Sequence, residues 1–257
     1  MSYEYLLCSV DDRGLATMKL NRPQKLNAMN FKMQGEIRNA IQKFGQDPQV
    51  KIILVTGEGR MFSSGVDVQE VAQLKEIKET AFPPRAGGLD LLMKECDKIT
   101  IAAVNGPAIG MGCDLTLTCD FRIASDKAVF WQAYARLMPP SAGTWYLPRL
   151  VGLQKAMEML LLGEPVEAPE AARIGLVYKT VPHEELMREA ERLIQKLLSF
   201  SPAVLQHTKH SILKGLEQDF ATAMEHIRYT RAVCAHLGII EEAARAIMEK
   251  RAPDWKY

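Results

Sequence analysis

What this 257-residue chain lacks closes off several classes of function. It has no bias of charge: 32 basic against 31 acidic residues leave a net charge of +1. No basic surface for nucleic acid is therefore advertised. No apolar run approaches the roughly 18 residues that cross a bilayer, which speaks against a membrane protein. The opening MSYEYLLCSVDDRG has no basic leader, and acidic residues soon follow its short apolar stretch. That argues against a secretory signal. The five cysteines (Cys8, Cys96, Cys113, Cys119 and Cys234) are odd in number and nowhere spaced as CxxC. Reduced, mostly buried thiols in the cytoplasm are expected. Dinucleotide, P-loop and nucleophile-elbow motifs (GxGxxG, GxxxxGK[ST] and GxSxG) are also missing.

What is present reads as α/β. Apolar residues at 47% and charged residues at 25% suit one globular enzyme domain, alone or with an appendage. Leu15–Leu20 alternates like a strand and closes at Asn21-Arg22-Pro23. Asn30 is placed to cap a helix carrying Phe31, Met33, Ile37, Ile41 and Phe44 on one face. Lys51–Thr56 and Ile99–Val104 read as buried strands. Strand and helix patterns alternate again through Phe121–Ser125, Gln154–Leu162, Ala168–Ile174 and Leu176–Val181. After His183 the pattern is helical: Glu184–Leu198, Ala203–Leu213, Phe220–Leu237 and Glu241–Lys250. Their apolar stripes need a partner surface, on the α/β core or on another subunit. The division is expected near residue 195, giving a core of 1–195 and a helical region of 196–257.

Two glycine-containing segments carry the chemistry. In ITIAAVNGPAIGMGCDLTLTCD a strand turns at Asn105-Gly106-Pro107, and Gly110-Met111-Gly112 opens a helix with Asp114 in its first turn. Such a helix start offers unpaired N–H groups and a positive dipole end. The second segment, Gly59–Asp67, follows the Lys51–Thr56 strand, and Gly65 lets its backbone approach a ligand closely. The N–H groups of Val66 and Met111 together would make an oxyanion hole beside the Asp114 carboxylate, which points to carbonyl chemistry.

Longer motifs surround these segments. LNRPQKLNAM at Leu20–Met29, FSSGVD at Phe62–Asp67 and AAVNGPAIGMGCDLTLTCDFRIAS at Ala102–Ser125 are three of them. LPRLVG at Leu147–Gly152, RIGLVYKTVP at Arg173–Pro182 and EKRAPDW at Glu249–Trp255 are the others. Taken in order, they make the chain resemble the crotonase superfamily, the enoyl-CoA hydratase/isomerase family. The resemblance implies a spiral of ββα units followed by a helical trimerisation region, in a homotrimer or a hexamer of two trimers. It implies an acyl-CoA thioester substrate whose carbonyl lies between the Val66 and Met111 N–H groups. Lys25 and Leu26 would lie near the adenine, Ser64, Gly65, Asp67 and Gly110 would shape the binding loops, and Lys256 would reach a neighbour's CoA. CoA then enters as part of the substrate, with no metal and no other cofactor.

The chain departs from the family pattern at its acids. The family's hydratases use two glutamates. Here Asp114 stands at the first position and Tyr134, in FWQAY, at the second. The isomerase branch places an acid in a GLxP(D/E)xG segment, where this chain has Pro140. Asp114 is thus the one carboxylate at a catalytic position of the family, and Asp67 is expected to hold its loop. Asp is a methylene shorter than Glu, so its carboxylate sits about 1.5 Å farther from the thioester. The room gained suits a bulky or cyclic acyl group bordered by Trp131, Tyr134 and Trp145. Asp114 would orient or deprotonate water, with Tyr134 its partner. The alternatives are a double-bond isomerase or carbon–carbon bond hydrolase of the same family, and a non-catalytic CoA-ester or RNA-binding relative. All five histidines lie from His183 onward; the spaced pair His207 and His210 reads as a surface pair rather than a metal site.

Overall fold

The computed structural model describes residues 2–73, 88–136 and 141–255. The chain runs β1 (Leu6–Val10), β2 (Leu15–Leu20), α1 (Phe31–Gln46), β3 (Ile52–Gly57), α2 (Val68–Ala72) and α3 (Leu89–Lys94). It continues through β4 (Ile99–Val104), β5 (Ala108–Ile109), α4 (Met111–Thr118), β6 (Phe121–Ser125) and β7 (Val129–Trp131). Then come α5 (Gly143–Val151), α6 (Leu153–Met157), β8 (Val166–Glu167), α7 (Ala168–Arg173) and β9 (Lys179–Val181). Four helices follow: α8 (Leu186–Leu198), α9 (Pro202–Gly215), α10 (Phe220–His236) and α11 (Ile239–Glu249).

Six strands form one sheet in the order β1-β2-β3-β4-β6-β9. The β1/β2 pair is antiparallel, while β2/β3, β4/β6 and β6/β9 are parallel. Every residue of β3 and β4 is buried, as expected of strands covered on both faces. A second, three-stranded sheet has the order β5-β7-β8. Asn30 does cap α1: its side-chain oxygen accepts from the Met33 N–H at 2.8 Å. Met33, Ile37, Ile41 and Phe44 of α1 share a buried cluster with Met18, Leu20, Ile53 and Val55. The expected stripe is right except at its first residue. Phe31, the first residue of α1, is 37% exposed.

Three expectations are corrected in length or type. Gln154–Leu162 is not one regular helix: α6 ends at Met157 and Glu158–Leu162 is wound as a π-helix. The strand expected over Leu176–Val181 is confined to Lys179–Val181, where pairing with β6 begins at Ile123. The helix expected from Glu184 starts at Leu186, after a 3₁₀ turn over His183–Glu185.

The described residues fall into two compact units. One comprises those up to Cys96 together with Thr100–Glu191. The other comprises Asp97–Ile99 and the chain from Arg192 onward. In the second unit the Trp255 indole N–H donates to Ser199 O at 2.9 Å, and Arg251 pairs with Glu242 at 2.7 Å. His210 Nε2 meets Asp97 Oδ1 at 3.1 Å. Among the described residues, no helix is long and apolar enough to cross a membrane.

Candidate active site

The site is assembled from a turn and two loops of the first unit. The turn comes first. Leu26 and Asn27 both take left-handed backbone angles, φ 55° and 53°, a conformation Asn tolerates better than most residues. The Asn27 side chain is fully buried and used at both ends. Its oxygen accepts from Arg22 N at 2.8 Å, and its amide donates to Glu58 O and Met61 O at 2.9 Å each. One side chain therefore ties the turn to the start of the 58–67 loop.

That loop is then fixed along its length. Ser63 Oγ donates to Asn27 O at 2.8 Å and accepts from Gly65 N at 3.1 Å. Ser64 N donates to Leu26 O at 3.0 Å. Met29 N donates to Gly65 O at 2.7 Å, and Asp67 N donates to Met29 O at 3.1 Å. This parallel bridge engages Gly65 and Asp67, so the intervening Val66 N–H faces away from Met29. Asp67 caps α2 through Gln69 N at 3.1 Å and pairs with Arg22 at 2.6 Å. The Arg22 guanidinium holds the Asp67 carboxyl below the ordinary range. Lys25 lies on the surface of the turn, with its Nζ 3.3 Å from Gln69 Oε1.

The second loop lies against the first. Ser63 N donates to Pro107 O at 3.2 Å and Ile109 N to Ser63 O at 2.9 Å. Gly65 sits at the contact with φ +91°. A Cβ there would stand 2.7 Å from Ile109 O and 3.4 Å from Met111 N. Only glycine lets the residue before Val66 come so near the first N–H of α4. Gly110, also at positive φ, donates its N–H to Trp131 O at 2.8 Å and accepts Asp114 N at 2.9 Å. Met111 then opens α4, where a helix start leaves N–H groups without intrahelical partners.

Asp114 is only 8% exposed. Its Oδ1 accepts from Gln132 Nε2 at 2.9 Å, Gly143 N at 3.1 Å and Ser141 Oγ at 3.2 Å. The Tyr134 hydroxyl also bonds the carboxyl, from a 3₁₀ turn over Ala133–Arg136. Burial pushes the Asp114 pKa up, and these four donors pull against it. Burial and the neighbouring carboxylate drive the Tyr134 phenol far above its ordinary value, so it remains a neutral donor. Cys113 is likewise held as a thiol by burial and by Asp114. Gly143 leaves no room for a side chain, since a Cβ would stand 2.8 Å from Gln132 Nε2 and 3.2 Å from Asp114 Oδ1.

The structure thus gathers Ser64, Gly65, Val66, Asp67, Gly110 and Met111 on two touching loops, with Asp114 and Tyr134 bonded to each other beside them. Lys25 and Leu26 stand on the turn that holds the first loop. Lys256 and Pro140 lie outside the described residues. The aromatic residues have partners of their own. The Trp131 indole donates to Gly163 O at 2.6 Å. The Trp145 ring lies near Lys94 and Arg149, 4.6 and 4.1 Å from its centroid. Among the described residues, no three His, Cys, Asp or Glu side chains are grouped to hold a metal.

Sequence reasoning missed Gln132, Ser141 and Gly143 as partners of Asp114. It also missed Arg122, a 6% exposed guanidinium. Its NH1 donates to the carbonyls of Thr116, Leu117 and Cys119 at the end of α4, and its Nε to Leu176 O at 2.8 Å. A signal existed: Arg122 is the one charge in the apolar strand FRIAS.

Comparison with known proteins identifies the family. The sequence profile of the enoyl-CoA hydratase/isomerase family matches residues 11–257. A Dictyostelium discoideum protein named as a probable mitochondrial enoyl-CoA hydratase is 38% identical, over 94% of this chain and 87% of its own. A crotonyl-CoA hydratase from Syntrophomonas wolfei is 34% identical, over 98% of this chain and 97% of its own. The crystal structure of an enoyl-CoA hydratase from Bacillus anthracis superposes with a TM-score of 0.90 at 26% identity, covering 98% and 99% of the two chains. The two glycine loops, the carboxylate beside them and the match over nearly all of the sequence lead to one assignment: the chain belongs to the enoyl-CoA hydratase/isomerase family, within the crotonase superfamily.

Proposed function

We propose that the protein is a hydro-lyase that adds water to an α,β-unsaturated acyl-CoA thioester, or removes it in reverse. The observation that carries this is the Asp114 carboxylate, buried on the first turn of α4. Three residues before it stands Met111, whose N–H abuts the Gly65 loop. The thioester carbonyl would accept from the Val66 and Met111 N–H groups, and the same donors would hold the enolate formed when water adds to the β-carbon. One such donor contributes about 2.7–4 kcal/mol in the transition state. Asp114 orients the water and takes its proton; the neutral Tyr134 phenol, bonded to that carboxyl, relays it by giving its own proton to the α-carbon and taking the one Asp114 gained. CoA enters as part of the substrate, and no step calls on a metal or a separate cofactor.

The acyl group is proposed to be bulky or cyclic, because Asp in place of Glu leaves space above the thioester. A panel of linear and cyclic enoyl-CoA thioesters tests both statements. Loss of conjugated absorbance with a mass gain of one water is expected, fastest on a cyclic substrate. Turnover of crotonyl-CoA far ahead of every cyclic ester would overturn the acyl-group assignment. Absence of any water adduct across the panel would overturn the hydratase reading.

One observation favours a second reading. Tyr134 is held neutral, so Asp114 alone can act as a base at ordinary pH. A single base shuttling a proton between two carbons gives a double-bond isomerase. Turnover in ¹⁸O-labelled water separates the two, because a hydratase product gains solvent oxygen and an isomerase product gains only solvent hydrogen. Assembly through the C-terminal helices belongs to the same proposal: Ile212, Leu216, Phe220 and Tyr229 expose large apolar surfaces there. Sedimentation at a mass of three or six chains is the expected result.

A further inference from the structure

Three donors converge on Asp114 Oδ1, and they differ in kind. The Gln132 amide nitrogen and the Gly143 N–H can only donate. Ser141 can do both. Its Oγ accepts from Gly143 N at 3.2 Å and has its single proton free for Asp114 Oδ1, 3.2 Å away. We infer that Ser141 is a positioning residue for Asp114, a reversible hydrogen-bond partner that donates to the carboxylate and accepts from the carboxylic acid. The inference rests on the reading of Asp114 as the base of the proposed reaction.

The physical argument turns on what happens to Asp114 within one turnover. A base that takes a proton from water becomes a neutral acid and later gives the proton back. Donors without acceptor capacity oppose the neutral form, since their N–H groups then face a weaker acceptor. Rotation of one hydroxyl removes that opposition at Ser141 without moving the backbone. The hydroxyl is well placed for this. Gln132 and Gly143 are fully enclosed, whereas Ser141 is half-buried at the start of the segment leading into α5. The absence of a Cβ at Gly143 is what lets its N–H lie between the carboxylate and the Ser141 hydroxyl.

Other titratable groups surround the pair. Tyr134 faces Asp114 from the 3₁₀ turn and Cys113 from the same helix. Asp90 on α3 acts on Tyr134, and with Arg122 on β6 it acts on Tyr146 of α5. Burial holds Tyr134, Cys113 and Tyr146 protonated. The acidic limb of activity is therefore set by Asp114 and tuned by the donors on it.

Ser141→Ala, Ser141→Thr and the parent protein decide the matter. Removal of a donor favours the neutral carboxyl. In Ser141→Ala the acidic limb of the kcat/KM profile is expected to move up by about one pH unit, with kcat lower by about tenfold. KM should change little, and Ser141→Thr, which keeps the hydroxyl, should restore both values. A residue that merely shaped the turn before α5 would lower the melting temperature and leave the limb in place; that result would overturn the inference. A second measurement does not depend on turnover. In protein carrying ¹³C-labelled aspartate carboxyls, the Asp114 signal, assigned by its loss in Asp114→Asn, should titrate higher in Ser141→Ala than in the parent. An unmoved titration overturns the inference even if activity falls. If the parent hydrates no thioester yet the carboxyl titration moves, Ser141 tunes Asp114 and only the hydratase reading fails.

Discussion

Arg122 and Asp114 occupy opposite poles of one buried helix. Asp114 lies in the first turn of α4, and the Arg122 guanidinium donates to the carbonyls that end it. A helix buried over nearly its whole length cannot leave its last carbonyls to water. Among the described residues the hydrogen bonds of Arg122 go to main-chain oxygens, which solvate the charge, and burial lowers its pKa. Arg122→Met would keep much of the volume and take a donor from four buried carbonyls, of which Thr116 O still accepts from Cys119 N at 3.2 Å. Unfolding by urea should show a loss of about 3 kcal/mol or more. A variant with an unchanged midpoint and slope would show that the carbonyls find other partners.

Asp114→Asn should cost activity and add stability. The amide oxygen can still accept from Gln132, Ser141 and Gly143, so the fold is kept, but the base is gone. A fall of about 100-fold or more in kcat is expected. The sign of the stability change follows from burial, which raises the Asp114 pKa in the folded protein. Between the unfolded and folded pKa values the native state holds a proton that the unfolded state has released. Stability therefore declines as pH rises through that window, starting near pH 4. Melting curves of the parent and of Asp114→Asn should diverge upward from there, the variant melting higher. Coincident curves across that range would contradict the raised pKa.

Gly65 is where the two loops meet, and a methyl group tests the contact. Gly65→Ala places a Cβ 2.7 Å from Ile109 O at φ +91°. Either the 58–67 loop or the start of α4 must withdraw, which separates the Val66 and Met111 donors. Loss of one oxyanion donor lowers kcat by about 10²–10³. Steady-state kinetics should show that loss mainly in kcat, because the donors act on the enolate more than on bound substrate.

Much of this site was readable from the sequence, and the reason is local. Asn30 before an apolar stripe, the buried runs β3 and β4, and the glycines ahead of Val66 and Met111 each express a constraint held within a few residues. What escaped notice is non-local. Gln132, Ser141 and Gly143 reach Asp114 across 18, 27 and 29 residues of chain. No periodicity records such a convergence. The two- and three-residue strands β5, β7 and β8 escaped for the same reason, since a strand that short is defined only by its partner. The π-helical segment from Glu158 to Leu162 keeps the apolar pattern of an ordinary helix, so periodicity could not separate the two.

The Arg22–Asp67 pair links the turn at Lys25 and Leu26 to the loop that carries Val66, and it should report on substrate binding. Both side chains are largely enclosed, 13% and 11% exposed, with 2.6 Å between Arg22 NH1 and Asp67 Oδ2. Arg22 also donates to Ala28 O at 3.0 Å, so the guanidinium spans turn and loop. Asp67→Asn keeps an oxygen to cap α2 but loses the charge. The folded Asp67 pKa is depressed by Arg22, so the native state binds fewer protons than the unfolded one as pH falls. Its contribution is therefore present above the unfolded value, about pH 4, and disappears as pH drops through the folded value. The parent should be more stable than Asp67→Asn at pH 7, with the gap closing on acidification below pH 4. At pH 7 the variant should also show a raised KM for acyl-CoA with a smaller change in kcat. The turn at Lys25 and Leu26 loses its charged tie to the loop and keeps the neutral ones made by Asn27 and Leu26, while Asp114 and its donors are untouched. A fall in kcat at constant KM would place the Asp67 effect on the reacting centre instead.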